Sequence, residues 1–308
     1  MPDEKFSERG VIPLGTVALT IGVDSQSDGF YFLLACWGRK MEVWLPLTGR
    51  ITGDMRADAV WKALREVLTT TWLDKEGNGY RPVISALDVQ GDFYPQCLEF
   101  VRSHGWQARL RAVRGYGVQR TQASGKGFGI LRNRYQDKAT GVVVQNIDVD
   151  IAKSQLANML ARRESGPGYV HLPCGANGEV KGGWDADAVA ELTAEYRRQT
   201  NVRGYTFARW HKRSGRPNHR LDCLVYALAA LSISRLKVDD CALQRVEARN
   251  VGKSEQAKNR KRSPFGAQKM LVKSGSDVGG VAGYGVELPS DHPRPTVWGA
   301  LPGSGVIF

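Results

Sequence analysis

The sequence lacks the long apolar segments and cysteine patterns that mark membrane and secreted proteins. No apolar stretch approaches the roughly 18 consecutive residues that a membrane-spanning helix needs, and the first residues have no signal-peptide character. The five cysteines are odd in number, widely separated and form no Cys-x-x-Cys pair, which argues against a disulfide framework and a structural zinc site. The five histidines form no cluster with metal-ligand spacing. We therefore expect a cytoplasmic protein with no membrane span.

Positive charge, in contrast, is abundant and unevenly placed. The chain has 43 Lys and Arg against 31 Asp and Glu, and a net charge of +12. Residues 107–138 and residues 245–273 each carry a net charge of +7, so the rest of the chain is slightly acidic. Local basicity of this kind favours a polyanionic partner such as nucleic acid. Solvated basic loops without a partner are the alternative.

Three aspartates, each in an apolar segment, are the candidate catalytic residues. Asp24 ends the apolar run that begins at Val17, Asp88 ends the run that begins at Val83, and Asp222 lies near the start of an apolar helical segment. Burying several carboxylates close together is unfavourable unless cations neutralise them. All-oxygen ligands suit Mg²⁺ or Mn²⁺, and two such ions about 4 Å apart would hold one phosphate. The pattern predicts a metal site for phosphate chemistry.

The order of the predicted elements indicates the fold. Residues 16–24, 30–37 and 41–47 predict an antiparallel meander, followed by a helix at 57–72, a strand at 82–89, a helix at 93–104 and a strand at 108–113. This order is typical of an α/β ribonuclease H-like (RuvC-like) fold, a mixed sheet flanked by helices. In that fold the ends of the first and fourth strands lie side by side and a later helix crosses the same edge, so the three aspartates can converge.

The second half of the chain predicts further elements and a tail. A Gly-rich basic segment at 115–141 is too polar for the core. Residues 142–149, 150–163, 169–172, 186–199 and 203–211 then predict a strand, a helix, a short strand, a helix and a strand, and a last helix runs from Asn218 to about Arg235. We expect a lead-in at 1–15, a nuclease domain at 16–240 and a flexible basic, Gly- and Pro-rich tail at 241–308.

Several polar residues near the expected site are secondary candidates. Asn218 lies one turn before Asp222 on the same helix face. Asp28 and Asp92 are additional acids close to the same edge of the sheet, and Asp150 opens a helix together with Lys153. For these residues a helix cap or a solvated acid is the alternative to a ligand. We expect the phosphate backbone of DNA to contact Arg111, Arg114, Arg120, Lys126, Arg132, Arg134, Lys212 and Arg213.

Several short strings resemble one known family. They are Gly22-Val-Asp-Ser-Gln26, Leu87-Asp88, Lys212-Arg213 leading to Asn218, and Leu221-Asp222-Cys-Leu-Val-Tyr-Ala-Leu-Ala-Ala-Leu231, with weaker matches between them. In this order they are similar to the nuclease part of the large terminase subunit of tailed phages, lambda type (GpA family). The resemblance covers roughly residues 17–236, and its Leu-Asp-Cys helix is the most specific element.

The resemblance implies an endonuclease that cuts concatemeric viral double-stranded DNA into genome units for packaging. It assigns Asp24, Asp88 and Asp222 as catalytic residues and ligands of two Mg²⁺ or Mn²⁺ ions, with Asn218 and Asp92 in support. It also implies as partners a small terminase subunit and the portal or procapsid, and as location the host cytoplasm.

Two departures from the family pattern accompany the resemblance. The family usually has an acid where this chain has His219. Members also carry a packaging ATPase, whereas the nearest Gly-rich string here, Ser124-Gly-Lys-Gly127, lacks the features of a phosphate-binding loop. We therefore expect that this chain is a domain excised from a longer protein or that the gene is split. The ATPase domain would then act in cis or in trans. Other nucleases of this fold, such as Holliday-junction resolvases or transposase-like enzymes, and a non-enzymatic DNA-binding or capsid-docking module remain alternatives.

Overall fold

The β-branched and aromatic residues of the first fifty positions form the first three strands of a large sheet. The computed structural model describes residues 10–117, 129–173, 181–202 and 205–241, and the backbone of 305–307. Its strands are β1 (Ala18–Gln26), β2 (Gly29–Trp37), β3 (Val43–Thr52), β4 (Trp72–Leu73), β5 (Gly79–Tyr80), β6 (Ile84–Asp88), β7 (Leu110–Tyr116), β8 (Leu131–Gln136), β9 (Val143–Asp148), β10 (Val170–His171), β11 (Glu195–Val202), β12 (Tyr205–Lys212) and β13 (Gly305–Ile307). Its α-helices are α1 (Asp58–Thr69), α2 (Tyr94–His104), α3 (Val149–Leu160), α4 (Ala186–Glu191) and α5 (His219–Ser234).

The main sheet of the described residues is mixed and has nine strands. Eight lie in the order β10-β3-β2-β1-β6-β7-β9-β8, and β13 pairs with β3. Strands β1, β6, β7 and β9 run parallel to one another, whereas β2 is antiparallel to both of its neighbours. Val23 pairs with Leu87 in the β1–β6 ladder. The two aspartates that follow this pair, Asp24 and Asp88, therefore lie side by side where both strands reach the same edge of the sheet.

Helices cover both faces of the sheet. On one face, Phe30 of β2 contacts Trp61 of α1, which in turn contacts Phe100 of α2. On the other face α5 crosses β1, where the Thr20 hydroxyl donates to the Ala227 carbonyl. Helix α5 is apolar around most of its circumference, and such a helix is stable only when it is buried. The sheet, α3 and α4 pack around it and provide this burial.

Gly22 of β1 allows α5 to approach the sheet closely. A Cβ atom at this position would lie 2.6 Å from the backbone nitrogen of Ala227 and even closer to the carbonyl oxygen of Cys223. Both atoms belong to the helix backbone and cannot rotate away. The absence of a side chain at Gly22 therefore sets the distance between β1 and α5, and with it the position of Asp222 relative to Asp24.

The helix predicted at 186–199 is wrong beyond its first half. Helix α4 ends at Glu191, and Glu195–Val202 instead form β11, which pairs antiparallel with β12 as a separate hairpin. Residues such as Arg197, Arg198 and Gln199 favour helices locally, but the ladder of the hairpin overrides that weak preference. Glu195 is therefore the first residue of a strand, where it pairs with Lys212.

The segment 115–141, predicted to lie outside the core, is in part a strand. Strand β7 continues to Tyr116, and β8 pairs with β9 at the edge of the sheet. An edge strand needs few apolar residues because it is paired on one side only, and the polar pattern of β8 therefore hid it. The short hairpin of β4 and β5 was also not predicted. Residues 118–128 lie outside the described residues.

The ends of the chain are described only in part. Of the predicted tail at 241–308, the structure describes Cys241 and the backbone of β13, whose pairing with β3 the sequence pattern did not predict. In the predicted lead-in, Ile12 is fully buried and bridges to Asp74. None of the described helices is both long and apolar enough to cross a membrane.

Candidate active site

The structure brings the three predicted aspartates together at the edge where β1 and β6 end. Asp24 and Asp88 are only 4% and 7% exposed. Asp222 lies in the first turn of α5, with 21% of its side chain exposed. The three carboxylates are close enough that the charge of Asp24 acts on both of the others. The site is therefore a mostly buried cluster of three carboxylates.

Two side chains orient the carboxylate of Asp24. The Gln26 amide donates to Asp24 Oδ2 at 2.8 Å, and His219 Nδ1 lies 2.9 Å from the same oxygen. The His219 ring stacks on Tyr31, with 4.2 Å between ring centroids and an angle of 5° between the planes. Where the family usually has an acid, this chain thus has an imidazole that contacts Asp24.

Asp88 is held by α5 and by its own strand end. The Tyr226 hydroxyl donates to Asp88 Oδ2 at 3.0 Å, and the Gln90 backbone N–H donates to Oδ1 at 3.2 Å. Burial, followed by the negative charges of Asp24 and Asp222, raises the pKa of Asp88 to about 7, although the Tyr226 hydrogen bond favours the ionised form. A positive charge near Asp88 would therefore favour its ionised form.

Asp222 belongs to a buried network of four polar side chains. Lys153 Nζ lies 2.9 Å from Asp222 Oδ1 and 2.6 Å from Glu195 Oε1. The Asn218 amide donates at 2.7 Å to Asp222 Oδ2 and at 2.7 Å to Glu195 Oε1. Asn218 begins α5 without capping it, so its side chain is available for this network. Burial raises the pKa of Asp222 to about 6 even though Lys153 lowers it.

The donor chemistry of the site fits a hard divalent cation. Its three aspartates supply oxygen ligands, and burial and mutual repulsion raise the pKa values of Asp88 and Asp222, as expected where carboxylates are desolvated close to one another. The carboxylates are nevertheless not positioned around a common point. Within the described residues, no three His, Cys, Asp or Glu side chains are grouped as they would be around a metal ion.

Comparison with known proteins identifies the family of the chain. Residues 3–242 match the family described as terminase large subunit gpA, endonuclease domain. The chain belongs to this family. It is 30% identical over 251 residues to the large terminase subunit of Escherichia phage lambda, a match that covers 79% of this chain and 37% of that protein. The chain thus spans little more than a third of the curated relative it matches. No solved structure shows a significant match to it.

The structure also shows site residues of this gpA-family chain that sequence reasoning missed. Glu195 is 4% exposed and completes the Lys153 network, but it lay in a segment predicted to be helical. Tyr226 was counted only as part of the apolar helix. Asp222 and Tyr226 are four positions apart, so both lie on one face of α5, and this spacing was the available signal. Lys153 was noted only as a neighbour of Asp150.

The secondary acidic candidates have surroundings different from those of the three aspartates. Asp28 pairs with Arg50 at the surface, and Asp92 is exposed in the turn after β6. Asp150 is buried in the first turn of α3, where it accepts a hydrogen bond from the backbone N–H of Trp210 at 3.1 Å. Asp150 therefore holds the β11–β12 hairpin against α3.

The predicted DNA-contacting residues fall into different surroundings. Arg132 pairs with buried Asp148, and Arg114 lies over the ring of Tyr116. Arg111 and Arg134 are exposed on β7 and β8. Arg120 and Lys126 lie outside the described residues.

Lys212 and Arg213 lie beside Glu195. Lys212 pairs with Glu195 in the hairpin ladder, and both basic residues are exposed. Arg213 lies over the ring of Tyr196, 5.4 Å from its centroid. The end of β12, the partner strand of β11, thus places two cations beside Glu195.

Proposed function

We propose that this chain is the metal-dependent DNA endonuclease of a phage terminase, which cuts concatemeric viral DNA into genome units in the host cytoplasm. The observation that carries the proposal is the meeting of Asp24, Asp88 and Asp222 at one edge of the sheet, where repulsion between their carboxylates calls for cations. The membership of the chain in the gpA endonuclease family supports the same activity.

The sheet supports the ribonuclease H-like part of this proposal. From β3 to β7 its order is β3-β2-β1-β6-β7, with only β2 antiparallel to its neighbours on both sides. This is the order expected for the antiparallel meander, central strand and crossover of that fold. Helix α5 crosses the edge formed by β1 and β6, so the third aspartate comes from a helix rather than from a strand.

In the proposed mechanism, Asp24, Asp88 and Asp222 would hold two Mg²⁺ or Mn²⁺ ions, which when bound would supply activation of the attacking water and stabilisation of the leaving oxygen of a phosphodiester. The protein's own side chains prepare the ligands: His219 orients Asp24, and Tyr226 orients Asp88. Asn218 and Lys153 hold the two oxygens of Asp222.

The remaining components of packaging belong to the same proposal. The matched phage lambda protein is much longer than the aligned region, so an ATPase domain would act in cis or in trans with this nuclease. The small terminase subunit and the portal or procapsid would be its other partners. Within the described residues we assign DNA contacts to Lys212 and Arg213 first, because they lie beside Glu195 and hence beside Asp222.

The test is cleavage of supercoiled plasmid by the purified chain. We expect nicked and linear products with Mg²⁺ or Mn²⁺ and none with EDTA, because the carboxylates alone cannot activate water. A four-way junction and a linear duplex of the same length are the control substrates. Preference for the junction over linear duplex would favour a resolvase, and binding without cleavage at any metal concentration would favour a non-enzymatic DNA-binding module.

A second expected result concerns the salt dependence of DNA binding. Replacing Lys212 and Arg213 together with Gln should flatten the slope of log affinity against log salt by up to about two units, because each phosphate contact contributes about 0.9. Arg132, which pairs with buried Asp148, is unsuitable for this test. The measurement is duplex binding over a salt series.

The matched control for this experiment replaces Lys62 and Arg65 of α1 with Gln, on the opposite face of the sheet from α5. We expect the control protein to keep the slope of the parent. Equal slopes for all three proteins would show that Lys212 and Arg213 do not contact the phosphate backbone.

A further inference from the structure

Lys153 is a buried cation in direct contact with one of the three site aspartates. It is 8% exposed, and its Nζ lies between Asp222 Oδ1 and Glu195 Oε1. Burial of an ammonium group is costly unless carboxylates pair with it. Lys153 has two such partners, because Asp222 and Glu195 both contact its ammonium group.

This contact uses the part of Asp222 that a metal ion would need. Oδ1 faces the ammonium group of Lys153 at 2.9 Å, and Oδ2 accepts the Asn218 amide at 2.7 Å. A divalent cation on Oδ1 would lie close to Nζ, and like charges at such a distance in a buried site repel strongly. In the present arrangement the ammonium group therefore disfavours a cation on Oδ1.

Glu195 gives the ammonium group another partner. Its carboxylate is buried, is 2.6 Å from Nζ and is anchored by the Asn218 amide at 2.7 Å. A small movement of Lys153 away from Asp222 that keeps its contact with Glu195 would release Asp222 and still leave the ammonium paired. Asn218 contacts both carboxylates, so the two alternative partners of Lys153 are held next to each other.

We propose that Lys153 competes with a divalent cation for Asp222, and that it thereby sets the metal concentration at which the site fills. Glu195 accepts the ammonium group when the cation binds. This inference rests on the proposed function, because it concerns filling of the same site. It assigns Lys153 a role as a positioning residue rather than a catalytic residue.

The test is Mn²⁺ binding by the full chain without DNA, measured by calorimetry and by the electron paramagnetic resonance signal of free Mn²⁺. We expect Lys153→Gln to lower the dissociation constant of the weakest-bound ion by roughly tenfold or more, because Asp222 loses its competing cation. Glu195→Gln should have the opposite effect, since Lys153 then keeps Asp222 as its remaining carboxylate partner.

Two further variants make the result decisive. Lys153→Gln combined with Glu195→Gln removes one charge of each sign, so the net charge is unchanged and neither charge of this pair is left without its partner, and this variant should still bind Mn²⁺ more tightly than the parent. Lys237→Gln is the matched control, because it breaks an exposed contact between Lys237 and Asp240 and should leave Mn²⁺ binding unchanged.

The outcomes separate this inference from the proposed function. Binding of Mn²⁺ by the parent with the same or weaker affinity in both Lys153 variants would overturn the inference alone. Failure of the parent to bind Mn²⁺ at all would overturn the metal dependence of the proposed function and the inference with it. Loss of plasmid cleavage in Lys153→Gln with unchanged Mn²⁺ affinity would overturn the competition and assign Lys153 to the DNA instead.

Discussion

Replacing Asp24, Asp88 or Asp222 singly with Asn should reduce plasmid cleavage by roughly three orders of magnitude or more while duplex binding persists. Asn keeps the size of the side chain but removes the charge that holds a cation. The hydrogen bonds can survive, because an amide at position 88 can accept from the Gln90 N–H and donate to the Tyr226 oxygen. The measurement is the initial rate of nicking with Mg²⁺ and with Mn²⁺, beside a duplex-binding titration.

Asp28→Asn is the matched control for these variants. Asp28 lies just after β1, pairs with Arg50 and has 60% of its side chain exposed, so it shares the neighbourhood of Asp24 without sharing its burial. We expect it to cleave at the rate of the parent. Parental rates in two of the three site variants would refute the assignment of the aspartates as metal ligands.

The largest expected effect on stability is that of Gly22→Ala. The new Cβ would overlap the Cys223 carbonyl and lie 2.6 Å from the Ala227 nitrogen, so α5 would have to move away from β1. We expect a loss of about 3 to 5 kcal/mol in the free energy of unfolding. In thermal melts this corresponds to a midpoint lower by roughly 10 °C or more.

Gly129→Ala controls for the general effect of replacing a glycine. No atom lies within 4 Å of a Cβ built at Gly129, and we expect a melting temperature close to that of the parent. If Gly22→Ala melted together with this control, the close approach of α5 to β1 would not be a requirement of the fold. Any folded Gly22→Ala protein should also cleave poorly, because α5 carries Asp222 and Tyr226.

The local features of the sequence were sufficient to predict the main helices and strands and the three aspartates. Val17 to Asp24 and Val83 to Asp88 read as buried strands because their apolar residues are continuous. A carboxylate at the end of such a run is conspicuous because its desolvation cost depends mainly on its immediate neighbours. The position of Asp222 in an apolar helix is visible for the same reason.

Predictions were wrong where pairing between distant segments decided the structure. Residues 195–199 favour a helix locally, yet they form β11 because β12 offers a complementary strand. Strand β8 has the composition of a loop, yet it pairs with β9 because an edge position tolerates polar side chains. Neither partner strand can be identified from the composition of the segment it pairs with.

The sequence by itself thus determined that Asp24 and Asp88 end buried strands, where most of the helical and strand segments lie, and that the chain carries local positive charge. The tertiary structure alone decided what those acids contact. Lys153 and Glu195 are 42 positions apart and meet only because the hairpin docks on α3. His219 meets Asp24 across 195 positions because Gly22 lets α5 pack against β1. Contacts of this length depend on how the sheet and helices assemble, and periodicity within a segment carries no information about them.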